Sequence, residues 1–209
     1  MADFMMNKDT IFRIALRCFN MDYDRIYPEE QRGAGTIPQE VKILEDFLRS
    51  ATLFCIRTYK WSFLLTSKKY TESERVYEDA EKTTPKSFKG KAYAYPKPSD
   101  LGSIYYINGF YNKDFDIAGK NIFFATENPE IAYISTDVDY SRFSELYPDD
   151  FGYLIAYRLG LETYQYLAPN DTNAANLLSQ NFQMVFQSLT ATERMSMRKA
   201  NPSPSAFVF

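Results

Sequence analysis

Histidine is absent from all 209 residues. That excludes His-based nucleophile triads, the commonest general base and most zinc sites. Cysteine is scarce: Cys18 and Cys55 are the whole supply, and both fall among apolar residues with helical spacing. Two such thiols read as small core residues rather than a redox pair. No apolar run approaches the roughly 20 residues of a membrane span. The N-terminus, MADFMMNKDT, lacks the basic segment and apolar stretch of a signal peptide, so synthesis in a reducing cytoplasm is expected. A basic excess is missing as well. The net charge of −3 excludes a strongly basic nucleic-acid binder and fits a surface past which DNA slides. No Gly-rich phosphate loop, G-x-S-x-G or C-x-x-C occurs. No cofactor and no metal are expected.

What is abundant is aromatic. Seventeen Tyr and seventeen Phe accompany one Trp. Tyrosine buries a ring and keeps a polar tip, which suits half-buried surfaces such as subunit contacts. The codon usage of an AT-rich genome yields the same composition. The length suits one core with an inserted subdomain.

Periodicity predicts a first helix over about 7–19, with Ile11, Ile14, Ala15, Cys18 and Phe19 on one stripe. Residues 20–37 read as a loop, and Pro38 marks the start of a second helix. Val41, Leu44, Leu48, Ala51, Cys55 and Tyr59 line that helix, and Ile43, Phe47 and Phe54 widen the stripe, as for a helix buried on more than one side. From Trp61 the pattern turns to β. WSFLLTSKKY, AYAYP and EIAYISTDVDY read as strands, with turns at Asn108-Gly109 and Ala118-Gly119 and a mobile or hairpin stretch over 71–91. Asp149 or Asp150 is expected to cap a helix carrying Phe151, Leu154, Ile155, Leu159 and Tyr166. Asp171 or Thr172 is expected to cap a last helix carrying Leu178, Phe182, Val185, Phe186 and Leu189. One amphipathic helix cannot hide its stripe alone. The expected fold is therefore α+β: a helical bundle from 1–60 and 147–200, a small antiparallel β unit of four to six strands inserted at 61–146, and an extended tail at 201–209.

Charge distribution points to function. Residues 61–146 carry eleven basic and thirteen acidic side chains, whereas 151–192 carry only Arg158, Glu162 and Asp171. A solvent-facing helix ordinarily carries Lys and Glu outside. Here Tyr157, Tyr164, Gln165, Asn173, Asn176, Gln180, Gln183 and Gln187 stand instead, the charge-depleted pattern of a subunit interface. Burial of both helices within their own domain gives the same signal. The tail NPSPSAFVF, with Pro202, Pro204, Phe207 and Phe209, reads as a peptide that docks in a partner's groove.

Other constellations are weaker. Asp137 with Asp139, and Asp114 with Asp116, have the spacing of paired carboxylates on one strand face but lack further oxygen ligands nearby. Lys82, Lys86, Lys89, Lys91 and Lys97, interleaved with Phe88, Tyr93 and Tyr95, form a mild basic-aromatic cluster. A solvated loop with Glu72, Glu74, Glu78, Asp79 and Glu81 explains it equally.

In order, the chain has an amphipathic helix, a Pro/Gly loop, a long helix ending in YKWSFLL, a β region, the helix entry ELYPDDFGYLIAYRLGLETYQYL, and a final long helix. This order resembles the tail tubular protein A family, the head–tail adaptors of short-tailed bacteriophages. The resemblance runs from about Ile11 to Phe209. Its sharpest local matches are Trp61-Ser62-Phe63 and Pro148-Asp149-Asp150-Phe151 before Tyr157–Leu159. It implies a structural virion protein of the neck or tail and no enzyme: a ring, usually of twelve copies, below the portal protein. Such a ring extends the channel through which genomic DNA passes without specific binding, and it offers a platform to downstream tail proteins. It implies that the bundle makes lateral and portal contacts while the β unit faces the next tail component. The lysine-rich 68–97 segment and the Tyr content depart from the family. Two rival readings remain, a receptor- or carbohydrate-binding module using the tyrosine-rich β unit, and a wall hydrolase using Asp137 and Asp149.

Overall fold

The computed structural model describes residues 5–32, 35–79, 81, 84–110 and 114–200, the last four as backbone only. They divide into a helical unit, from the described parts of Met1–Phe63 and Val138–Phe209, and a β unit, Leu64–Asp137.

The helical unit holds α1 (Lys8–Arg17), α2 (Tyr23–Ile26), α3 (Gln39–Thr58), α4 (Phe143–Leu146), α5 (Asp149–Leu167) and α6 (Thr172–Ala200). Asn7 caps α1 by accepting from the Thr10 N–H at 2.9 Å. Ile11, Ile14 and Ala15 are buried, as their spacing predicts, and Phe19 is buried just beyond the helix end. Residues 20–32 are more than a loop. Tyr23 is buried, its hydroxyl donates to Asp9 at 3.1 Å, and the guanidiniums of Arg13 and Arg32 lie 5.6 and 5.0 Å from its ring centre. Asp24 ties the two arginines together, accepting from Arg13 at 2.7 and 2.9 Å and from Arg32 at 2.6 Å. These charge-assisted bonds, Arg13 first, hold the Asp24 carboxyl below its usual range.

Helix α5 packs against α1, α3 and α6. It tolerates this because Gly152 and Gly160 face Met6 and Leu178. A Cβ on Gly160 would stand 2.6 Å from Leu178 Cδ2. The burial of each large apolar side chain contributes about 1.5–3 kcal/mol before ordering costs. Both cysteines are free, with Cys55 buried and Cys18 half-buried. Desolvation raises both thiols and disfavours the reactive thiolate.

The β unit is smaller than the sequence predicts, because residues at both ends belong to the bundle. Trp61 begins no strand. It is fully buried, donates its indole N–H to the Cys55 carbonyl at 2.8 Å, and lies 5.8 Å from Phe151, ring centre to ring centre. At the other end Asp139 accepts from the Ser141 N–H, and Phe143 of α4 stacks on Phe151. The expected insertion at 61–146 therefore contracts to Leu64–Asp137. Aromatic burial outweighs local β propensity at both borders.

Among the described residues, six strands form two three-stranded antiparallel sheets: β1 (Leu65–Lys69), β6 (Glu130–Ser135) and β3 (Leu101–Ile107) in that order, and β2 (Tyr93–Pro96), β5 (Asn121–Phe124) and β4 (Phe115–Ala118). Gly119 (φ +60°) turns the chain from β4 to β5, and Asn108-Gly109 (φ +53° and +78°) turn it at the end of β3. Their core is Tyr70, Tyr95, Ile107, Ile122, Phe124, Ile131 and Tyr133. Each tyrosine hydroxyl has a partner: Tyr70 donates to the Pro96 carbonyl, Tyr133 to Asp100, and Tyr95 accepts from the Asn128 N–H. Burial and the Asp100 carboxylate push the Tyr133 phenol up to about 12.

Where β3 bulges against β6, a Cβ on Gly102 would stand 2.8 Å from the Ile134 carbonyl oxygen. Backbone cannot step aside cheaply. Gly102→Ala is therefore expected to destabilise the β unit by about 1–3 kcal/mol, the usual cost of overpacking. Denaturant titration followed by tyrosine fluorescence checks this.

Candidate subunit interface

The proposed interface rests on the α5–α6 hairpin. Asp149 and Asp150 do not cap α5: Pro148 holds that position, and the two carboxylates lie in the first turn, where the helix dipole favours them. Asp149 also accepts from Ser144 Oγ at 3.0 Å. Asp171 does cap α6, accepting from the Ala174 N–H at 2.9 Å.

The three charges between Phe151 and Thr192 are all engaged within the helical unit. Arg158 pairs with Glu162 at 2.9 Å and lays its guanidinium 3.7 Å from the centre of the Phe54 ring. The other Glu162 oxygen accepts from Ser50 Oγ, and Asp171 is the cap. From Thr172 to Thr192, α6 carries no ionisable side chain.

The two helices owe their low charge to different causes. Helix α5 is the inner helix of the bundle, with Phe151, Leu154, Ile155, Ala156, Leu159 and Thr163 buried. Its lack of charge follows from burial within the chain. Tyr157 and Tyr164 are half-buried on it, and Tyr157 packs beside Tyr153, ring centres 6.4 Å apart. Burial, with a smaller effect of Cys18, raises the Tyr157 phenol. These two tyrosines are half-buried, unlike the exposed amides of α6.

Helix α6 differs. Ala174, Leu178 and Leu189 are buried on its inner face, and Phe182 stacks on Phe186 beside them. Its opposite face is open: Asn173, Asn176, Gln180, Gln183 and Gln187 are all exposed, as is Gln165 at the end of α5. Exposed among them are Leu177 (46%) and Met184 (61%), which the sequence reading missed. The signal was present. Leu177, Met184 and Ala191 recur every seven residues, as do Asn173, Gln180 and Gln187, which interleaves two rows in the seven-residue repeat of a helix-packing seam. Met195, also exposed, continues the face one turn further.

The remaining candidates lie elsewhere. Pro202, Pro204, Phe207 and Phe209 fall outside the described residues. In the β unit, Lys91 bridges Asp114 and Asp116 at 3.0 Å each, so this carboxylate pair already holds a cation of the chain. Among the described residues, no three His, Cys, Asp or Glu side chains gather where they could hold a metal ion. The basic-aromatic cluster offers little stacking surface. Tyr95 is buried, Tyr93 lies under Arg75, and Phe88 rests on Phe123; Lys82 is outside the described residues. Asp137 is exposed, with its N–H on Ser135 Oγ. No described helix is long and apolar enough to cross a membrane.

No protein-family model matches the chain, and no curated protein sequence is significantly similar to it.

Proposed function

We propose that this chain is a head-to-tail adaptor subunit of a virion neck, forming a dodecameric ring below a portal protein and carrying the downstream tail proteins. The observation that supports it best is the outer face of α6, exposed over five turns without a charge and bearing Leu177 and Met184. An exposed helix face of that composition gains from burial against another subunit and loses little by desolvation, because amides exchange water for neighbouring amides. The order of elements adds the resemblance. In this role the helical unit makes lateral and portal contacts. The β unit, with Phe110 exposed (74%) at the turn after β3, meets the next tail component. The net charge of −3 suits a channel wall past which DNA moves without specific binding. The role needs no cofactor and no catalysis.

Gln180→Glu combined with Gln187→Glu tests this. The variant is expected to keep the wild-type melting midpoint, since both sites are exposed, yet to fail to assemble on the portal of the same virion in sedimentation. Normal assembly of the variant would place the contact elsewhere.

A further inference from the structure

The outer face of α6 also selects what covers it when no portal is present. Its two rows, Leu177, Met184 and Ala191 beside Asn173, Gln180 and Gln187, are exposed throughout. Each row repeats every seven residues, so the stripe stays on one side of the helix for about 27 Å. A stripe of that length and period matches a second helix laid along it. Charge then selects the helix. Among the described residues, the other long helices of this chain expose charges: Arg17 on α1, Lys42, Asp46 and Arg49 on α3, Asp149 and Asp150 on α5. Pressed onto α6, which has no ionisable side chain from Thr172 to Thr192, such a charge would leave water and find no counter-charge. A second α6 brings no charge to strand.

The end of the face fixes the direction. Arg194, exposed and seven residues past Gln187, continues the amide row. A parallel pair would set Arg194 of one copy against Arg194 of the other. An antiparallel pair carries it instead to the level where α6 of the other copy begins, beside the capping carboxylate of Asp171. One antiparallel register then matches row to row. Leu177 lies opposite Gln187, Met184 opposite Gln180 and Ala191 opposite Asn173, each pair occurring twice about a two-fold axis. We infer that, away from a portal, two copies of this chain pair antiparallel through the outer faces of α6. A single helix pair is a small interface, and each layer sets an apolar side chain on an amide, so the dimer is weak and concentration-dependent. Such a contact uses the same patch on both copies and closes on itself, so it cannot propagate into a ring. It covers the face that the ring reading gives to a neighbouring subunit and must part before assembly. The pairing follows from the face alone; only this consequence rests on the ring reading.

Sedimentation velocity of the isolated chain, from micromolar to millimolar concentration, should show monomer passing to dimer. Gln180→Glu with Gln187→Glu should raise the midpoint concentration at least tenfold and leave the circular dichroism of the chain unchanged. Direction and register are read by cysteine cross-linking in a Cys18→Ser background, since Cys55 is buried. Under a mild oxidant, a mixture of Leu177→Cys and Gln187→Cys chains should form a mixed disulfide dimer. Leu177→Cys alone should yield at least tenfold less. A chain that stays monomeric at every concentration, or a dimer unmoved by the two glutamates, overturns the proposal. So does efficient cross-linking of Leu177→Cys to itself, the mark of a parallel pair. A chain that is monomeric alone, yet forms a ring on the portal through this face, sinks the dimer and leaves the ring reading standing. A dimer that forms no ring on the portal does the reverse.

Discussion

Leu177→Glu combined with Met184→Glu is expected to abolish ring assembly while the isolated chain keeps its fold. Both side chains stand in solvent, so a carboxylate there meets water and the substitution costs the isolated chain little. In the proposed seam the same carboxylates would be taken out of water against the surface of a neighbouring subunit. An unpaired charge moved out of water costs several kcal/mol even after relaxation, and each lost apolar contact removes about 1.5–3 kcal/mol more. At about 1.4 kcal/mol per tenfold, two such sites imply a loss of well over a hundredfold in association. Far-UV circular dichroism checks the fold and sedimentation velocity the assembly. The double variant should outdo Gln180→Glu with Gln187→Glu, because it removes apolar area as well as adding charge.

Trp61→Ala has the largest expected effect on stability. The side chain is fully buried, and Tyr59, Phe63, Phe151 and Phe186 surround it with ring centres 4.9, 5.7, 5.8 and 6.2 Å away. Its indole also satisfies the Cys55 carbonyl at the end of α3. Truncation of a buried Trp or Phe to Ala costs about 3–5 kcal/mol, a large part of the roughly 5–15 kcal/mol that holds a domain together. The melting midpoint should fall by on the order of 10 °C. It must be read by circular dichroism, because the substitution removes the chain's single Trp. Trp61→Phe keeps most of the ring contacts and should recover most of the loss.

The alternation of bundle and β unit was legible because it depends on periodicity, which the sequence carries directly. The helical stripes of α1 and α3 and the turns at Asn108-Gly109 and Gly119 stand where spacing and glycine chemistry place them. The borders of the β unit were not legible. Trp61 and Phe143 look like strand residues by propensity, and only the three-dimensional cluster around Phe151 draws them into the bundle. That cluster joins Trp61-Ser62-Phe63 to Pro148-Asp149-Asp150-Phe151, two motifs far apart in sequence. Tyr23 is another case. Its burial depends on Arg13, Asp24 and Arg32 closing around it, a tertiary arrangement that leaves no periodic trace.

At the candidate interface the same low charge stands on two different surroundings, an inner helix in α5 and an exposed face in α6. A helix surrounded by three others loses its charges for a dielectric reason, and a helix that faced a neighbouring subunit would lose them for the same one. Spacing separates them. The apolar positions of α5 extend around most of the helix, whereas α6 divides into an aromatic inner face and an amide outer face. Leu177 and Met184 escaped notice because Asn and Gln dominate the face around them. They become conspicuous once Leu178, Phe182 and Leu189 are known to point inward.

The most direct test is a cryo-electron microscopy reconstruction of the chain assembled with its portal. The proposed role predicts a closed ring in which Leu177, Gln180, Met184 and Gln187 of each copy are buried against the adjacent subunit. A ring whose α6 outer face lies in solvent, or a chain that forms no ring on the portal, would contradict it.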